Sequence, residues 1–194
     1  MRRLTRERLT GCQVTQASRF EEIVLPHLDA AYNLARWLLR DPVLGEDVVQ
    51  EAIVRALGHF ETYRGGDARA WVLRIVRNAA YDALATRVRQ AETPIEAETT
   101  DGGLSEAPTL IDPAADPEAA LARREQACLL DRALQALPIE LRECLVLREL
   151  EEMSYREIGR ITGVPIGTVM SRLWRARQAL LRAGRDAGLS GGGK

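Results

Sequence analysis

Residues 154–181 read SYREIGRITGVPIGTVMSRLWRARQALL, and the fold follows from how this stretch is punctuated. Ser154 and Glu157 stand three positions apart beside the apolar Ile158 and Ile161. That is a capping box: the hydroxyl accepts from the Glu157 N–H, and the carboxylate accepts from the Ser154 N–H. Gly163 follows, where the chain can turn with a positive φ. Val164-Pro165 restarts it, with Pro165 suited to the first turn of a second helix. In that helix Val169, Leu173, Ala176 and Leu180 recur at helical spacing and predict a buried stripe. Met170, Ser171, Trp174, Arg175 and Gln178 fall on the outer face. Two short helices joined by a Gly-bearing turn, the second presenting Arg and Ser, predict a DNA-binding helix-turn-helix.

Charge points the same way. Between Ser154 and Arg185 there are seven arginines and one acid, Glu157, in a chain whose formal net charge is −1. A basic patch on a neutral background is an electrostatic footprint for phosphates, although arginines can also simply solvate a helix end. Of the 27 basic residues only Lys194 is lysine, so the donors are planar guanidinium forks suited to phosphates and bases.

The bulk numbers exclude several classes. At 194 residues the chain has room for one ordinary domain or two small ones. No apolar run approaches the roughly 18 residues that span a bilayer. The N-terminal MRRLTRERLTGC has bases but no hydrophobic segment behind them, so it does not read as a secretory signal. Cys12, Cys128 and Cys144 are odd in number and far apart, and His27 and His59 are the only histidines, which supports neither a disulfide framework nor a metal site. The cysteines suit a reducing, cytoplasmic setting. There is no phosphate-binding G-x-x-x-x-G-K-[ST], nucleophile elbow or H-E-x-x-H, so the chain does not read as an enzyme, and no cofactor is expected.

Taken in order, residues 1–19 read as a polar tail and residues 20–39 as a helical run that Asp41-Pro42 breaks. A helix over 46–60 is predicted to turn Val49, Ile53, Ala56, Leu57 and Phe60 inward. Its opposite face carries Asp47, Gln50, Glu51 and Val54. This is either a solvated face or, because Val54 lies beside the acids, a strip for a partner helix bearing arginines. A loop with a Gly pair, ETYRGGDARA over 61–70, leads into a helix over 71–88 that is predicted to bury Val72, Ile75, Val76, Ala79 and Ala83. Residues 91–118 hold eight acids, no base and four prolines, the composition of a linker. Asp116-Pro117-Glu118 reads as the start of a helix to about Ala136, Leu137-Pro138 as its end, and 139–150 as a further helix. Glu151-Glu152 reads as a short acidic break, and residues 184–194 as a C-terminal tail. No stretch alternates as a strand would, so the expected fold is all-α: two small helical domains, 20–90 and 119–183, joined by an acidic linker.

Between Tyr63 and Asp82 aromatics, arginines and an amide interleave. Tyr63, Trp71 and Tyr81 are candidates for the core or for base stacking, while Arg64, Arg69, Arg74 and Arg77 suit a nucleic-acid backbone. Asn78 has the two-way amide that can read a flipped base.

These residues carry a resemblance. EDVVQEAIVRALGHF with YRGGDARAWVLRIVRNAAYDAL is similar to region 2, and ALQALPIELRECLVLRELEEMSYREIGRITGVPIGTVMSRLWRARQAL to region 4, of bacterial sigma-70 factors of the extracytoplasmic-function (ECF) group. The resemblance implies a promoter-specificity subunit of RNA polymerase. Asp47, Gln50, Glu51 and Val54 would then dock on the clamp helices of the polymerase β′ subunit, and region 4 would dock on the β flap. The loop and helix carrying Tyr63, Arg64, Gly65, Gly66, Asp67, Arg69, Trp71, Arg74, Arg77 and Asn78 would hold the −10 element as single-stranded DNA. In the second helix of the helix-turn-helix, Met170, Ser171, Trp174 and Arg175 would face −35 bases, and Thr168, Arg172 and Arg177 would face phosphates. Met170 offers apolar contact where relatives often carry Arg or Lys, for example to a thymine methyl. An anti-sigma factor is an expected partner, and membrane insertion is not expected. The alternative reading, a helix-turn-helix regulator that is no sigma subunit, leaves Asp47–Val54 and Trp71–Asn78 without a role.

Overall fold

Pro42 starts a helix as well as stopping one. The Asp41 carboxylate accepts from the Val43 and Leu44 N–H groups, each at 3.1 Å, and Pro42 takes the first helical position, where a missing N–H is harmless. In this computed structural model, which describes residues 16–91 and 117–186, that helix therefore runs Pro42–Gly58, four residues ahead of its sequence-based start. The stripe it buries is also rotated from the predicted one: Gly45, Val48, Ala52 and Ala56 face inward. Val49 and Ile53 are half-buried and Leu57 is exposed. The cause is the small residues, since Gly and Ala at these positions let neighbouring helices approach closely.

The helices, in order, are α1 (residues 16–24), α2 (Leu28–Leu39), α3 (Pro42–Gly58), α4 (Ala68–Ala91), α5 (Pro117–Ala136), α6 (Ile139–Glu149), α7 (Tyr155–Thr162) and α8 (Ile166–Asp186). Among the described residues there is no strand. Pro26 lies in a 3-10 turn, Leu25–His27, which splits the run read as one helix over 20–39. The expected tails over 1–15 and 187–194 and the linker over 92–116 lie outside the described residues; residues 16–19, read as tail, are already helical.

Two units share one core. In the first, α2, α3 and α4 pack on one another around Leu34, Leu38, Leu73 and Val76, with Phe20 and Val24 of α1 against them. Leu73 is fully buried although the predicted stripe of α4 omits it, while Ile75 and Ala83 are only half-buried. In the second, α6, α7 and α8 surround Leu147, Ile158, Ile161, Val169 and Leu173, and α5 lies along α8. The units meet where α4 packs on α7 and α2 on α6. Sandwiched this way, α6 buries six consecutive residues, Arg142–Leu147, instead of one stripe.

The buried charges of α6 take polar partners, although the Arg142 Nε itself is left without one. Arg142 donates to the Leu38 carbonyl at 3.2 Å and to the Gln135 carbonyl at 3.0 Å, the C-terminal ends of α2 and α5. A cation there meets the negative pole of both helices. Burial, with the neighbouring Arg40 guanidinium, lowers Arg142 to about 10. The Glu143 side chain is 0% exposed and takes its hydrogen bonds from both units.

Candidate nucleic-acid interface

The helix-turn-helix is assembled by local chemistry. Ser154 donates its N–H to the Glu157 carboxylate at 2.7 Å, and the Ser154 hydroxyl accepts from the Glu157 N–H at 3.3 Å. Hydrogen bonding to the carboxylate by the Ser154 side chain and by its backbone N–H holds the Glu157 carboxyl below its usual range. Gly163 ends α7 with φ +73°, its N–H donating to the Gly159 carbonyl at 2.9 Å, and the Val164 N–H reaches the same carbonyl at 3.2 Å. The turn closes so tightly that a Cβ on Gly159 would stand 2.9 Å from the Val164 carbonyl oxygen. Pro165 sits one place outside α8, its carbonyl accepting from Thr168 and Val169.

This turn aims α8. Val169, Leu173 and Ala176 are buried and Leu180 half-buried, so the opposite face is open. Met170 is 50% and Trp174 63% exposed, large apolar groups offered to solvent beside exposed Ser171 and Arg175. Ser171 donates to the Thr168 carbonyl at 2.9 Å, and Arg175 Nε to the Ser171 carbonyl at 3.4 Å. Thr168 and Arg172 are half-buried, and Gln178 is half-buried rather than fully outward. Arg177 pairs with Glu149 at 2.7 Å.

The second cluster lies at the start of α4. Gly65 and Gly66, at φ +88° and +98°, carry the loop through a left-handed bend. The Tyr63 hydroxyl donates to the Gly66 carbonyl at 2.9 Å. The Tyr63 ring lies 5.0 Å from Trp71 and 6.1 Å from Phe60, which makes Tyr63 and Trp71 half-buried members of an aromatic cluster that shapes the loop. Asp67 caps α4 by accepting from the Ala70 N–H at 3.0 Å. Arg64, Arg74 and Asn78 are exposed.

Three of the residues grouped here by sequence face the other unit instead of solvent. Arg69 pairs with Glu151, which is buried and also accepts from Asn33 at 3.4 Å. Asp67 pairs with Arg160 of α7 at 3.1 Å. Arg77 places Nε 2.8 Å from one Glu143 oxygen and a terminal nitrogen 3.4 Å from the other; Tyr81 donates to the same carboxylate at 3.0 Å, and Arg172 reaches it at 3.1 Å. The Arg77 guanidinium also lies over the Tyr81 ring at 4.2 Å. Burial alone would lower Arg77, but the hydrogen bond and charge of Glu143 raise it, while burial and the Glu143 charge push the Tyr81 hydroxyl up.

Sequence reasoning misses Glu143 and Glu151. One stands in a helix expected to bury Leu and Val, the other in an apparent acidic break. The signal available is Glu143 beside an otherwise apolar run, CLVL, whose burial on all sides follows only from the docking of two units.

On α3, Asp47, Gln50, Glu51 and Val54 form an exposed strip, with Val54 71% exposed. Glu51 is paired with Arg55 at 2.7 Å, and Arg55 bridges on to Asp82 of α4 at 2.8 Å, which raises the Arg55 guanidinium. Among the described residues no group of three or more His, Cys, Asp or Glu is placed to hold a metal ion, and no helix is long and apolar enough to cross a membrane.

Known proteins share this arrangement. Residues 23–90 match the family described as Sigma-70 region 2, and residues 129–180 match Sigma-70, region 4. The chain is 33% identical to the RNA polymerase sigma-H factor of Pseudomonas aeruginosa over 166 residues, 84% of this chain and 85% of that one. It is 35% identical to the ECF RNA polymerase sigma-E factor of Escherichia coli over 139 residues, 69% of this chain and 70% of that one. Among solved structures it superposes on the sigma factor RpoE of Bartonella quintana, determined in complex with the anti-sigma factor NepR. The TM-score is 0.67 at 25% identity, over 86% of this chain and 97% of that one.

Proposed function

The chain belongs to the sigma-70 family as an ECF RNA polymerase sigma factor, and from that premise we propose how its surfaces divide the work of promoter recognition. The exposed strip Asp47, Gln50, Glu51 and Val54 on α3 docks on the β′ clamp helices of core polymerase. The outer face of α8 enters the major groove of the −35 element, with Met170, Ser171, Trp174 and Arg175 at base edges and Thr168 and Arg177 toward phosphates, while Arg172, expected to join them, is half-buried against the Glu143 carboxylate at 3.1 Å. The loop and first turns of α4, from Tyr63 to Asn78, hold the unpaired −10 strand: Arg64, Arg69, Arg74 and Arg77 bind its backbone, and Asn78 reads a flipped base. The acidic segment 91–118 follows the polymerase cleft between the two anchors.

The observation that carries this reading is the exposed face of α8. Met170 and Trp174 stand open to solvent on a helix whose opposite side is sealed into the core, and the capping box and Gly163 turn hold that helix in place. Exposed apolar side chains among arginines are poorly suited to solubility and well suited to thymine methyls and base edges. A plain helix-turn-helix regulator would need α7 and α8 but not the region-2 half with its acidic–apolar strip.

Polymerase supplies the phosphodiester chemistry; this chain binds, positions and stabilises the melted strand. It works with the core enzyme in the cytoplasm. The neighbour solved with an anti-sigma factor supports a protein partner that holds this chain in check. The test is reconstitution: purified core polymerase, this chain and a promoter library, scored for discrete transcripts. Specific initiation with core and this chain alone is the expected result. DNA binding without initiation would return the chain to the regulator class.

A further inference from the structure

The loop between α3 and α4 is closed on itself by one of its own side chains. Residues 64–66 read Arg-Gly-Gly, and the Tyr63 hydroxyl reaches past them to donate to the Gly66 carbonyl at 2.9 Å. The ring that carries this hydroxyl is anchored on both sides of the loop. It stacks on Phe60 at 6.1 Å with an interplanar angle of 14°, and Trp71 of α4 lies tilted against it at 5.0 Å. Phe60 is itself buried, edge-on to Phe20 of α1 at 5.2 Å. The ring is thus committed to the protein rather than to an unpaired base, and its polar end is what acts on the loop.

The loop needs that hold. Gly65 and Gly66 stand in series at φ +88° and +98°. Glycine visits positive and negative φ about equally, so two in a row have several backbone shapes of similar energy. The Tyr63 hydrogen bond selects one of them. In that shape nothing lies within 4 Å of where a Cβ would stand on either glycine, and Arg64 beside them is exposed. A bare backbone edge with open space beside it lets a base approach closely. We infer that Tyr63 is a positioning residue for −10 recognition: its hydroxyl, not its ring, latches the Gly65–Gly66 backbone in the shape that discriminates among unpaired bases. The inference deepens the −10 assignment of this loop and rests on it. Contacts from arginines to phosphates carry affinity without sequence, so the latch governs preference and leaves non-specific holding to Arg64 and Arg74. Removing it reduces the fraction of molecules whose loop is ready to bind, and cognate affinity falls by that fraction.

The test uses holoenzyme assembled from core polymerase and the full chain. Its template is a promoter library randomised across the −35 and −10 stretches, read by sequencing the transcripts. Tyr63→Phe keeps the ring and removes the hydroxyl. It is expected to flatten base preference in the −10 stretch by about three- to tenfold, the worth of one hydrogen bond, while −35 preference and melting temperature stay at the parent values. Gly66→Ala, strained at φ +98° whatever the space around it, is expected to flatten the same positions. The double variant is expected to be no worse than Gly66→Ala alone, because both changes act through one loop shape; a tyrosine that only fills space would give additive losses. Unchanged −10 preference in Tyr63→Phe, or additive losses in the double variant, overturns the latch. A lowered melting temperature with −10 and −35 preference lost together overturns it as well, as a plain loss of fold. Absence of −10 preference in the parent holoenzyme, with −35 preference intact, overturns it too, but locates the fault in the assignment of this loop to the −10 strand.

Discussion

Replacing Gly159 by alanine should destabilise the protein although it improves the helix. In a helix interior alanine is favoured over glycine by about 1 kcal/mol. Here the added Cβ would stand 2.9 Å from the Val164 carbonyl oxygen, several tenths of an ångström inside an ordinary carbon–oxygen contact. The obstacle is backbone, and the same turn is pinned by the Gly163 and Val164 N–H groups donating to the Gly159 carbonyl at 2.9 and 3.2 Å. Relief requires the turn to open, which strains both bonds and tilts α8. Overpacking of this kind costs about 1–3 kcal/mol, so a net loss of about 1 kcal/mol remains after the propensity gain. For a chain of this size that lowers the melting temperature by about 2–4 °C. Gly167, near the start of α8, has open space around it, with nothing within 4 Å of where a Cβ would stand, so Gly167→Ala is the control and should be neutral or stabilising. Calorimetry on both variants decides the matter, with duplex binding as a second readout because α8 is re-aimed only by Gly159→Ala. Equal stabilisation by the two substitutions would refute the close approach of the turn.

Four further outcomes are expected. Arg175→Ala should lower affinity for −35 duplex by about 1–3 kcal/mol and relax preference at one base pair, measured by binding to a set of single-base variants; Arg172→Ala should instead reduce stability, because Arg172 is one of two guanidinium partners of buried Glu143. Ser154→Ala should cost about 1 kcal/mol at neutral pH. Only the part that acts through the Glu157 carboxyl, which hydrogen bonding by Ser154 holds below its usual range, is complete above the ordinary carboxylate pKa and lost as pH falls through the lowered value, so the gap between parent and variant melting curves should narrow in acid without closing, because the hydroxyl still caps the Glu157 N–H. Burial, with the Glu143 charge, pushes the Cys144 thiol to about 11, so at pH 8 iodoacetamide should modify exposed Cys128 well before Cys144, with denaturant erasing the difference in a peptide-level mass measurement.

The helix-turn-helix is readable from spacing because its determinants are local: a capping box, one left-handed glycine and a stripe at Val169, Leu173 and Ala176. All three act within a few residues, and the structure places them where the spacing predicts. The start of α3 escapes the sequence for an equally local reason, since Asp-Pro reads as a break while the Asp41 carboxylate caps the next helix. Its inward face escapes as well, because apolar weight points to Val49, Ile53 and Leu57, whereas close packing selects Gly45, Ala52 and Ala56. What no spacing can reveal is the seam. Glu143 is 66 residues from Arg77, and Glu151 is 82 from Arg69, so their partnerships depend on how two separately legible units dock. The exposed strip of α3 and the outer face of α8 are legible as surfaces because each carries side chains that its own helix cannot bury.

α4 has a mechanical consequence. Its 24 residues make a continuous rod about 36 Å long, with neither proline nor glycine to let it flex. Along it sit the exposed Arg74 and Asn78, the inward Arg77 and Tyr81, and Asp82, which Arg55 ties to the helix bearing the acidic strip. Such a strut transmits position without amplifying or absorbing it: seating α3 seats every group on α4 at the same moment and in one register. Inserting a single alanine between Asn78 and Asp82 would turn the far half of the rod by about 100°. Each half would keep its own chemistry while alignment between them was lost, because stiffness is what sets the register.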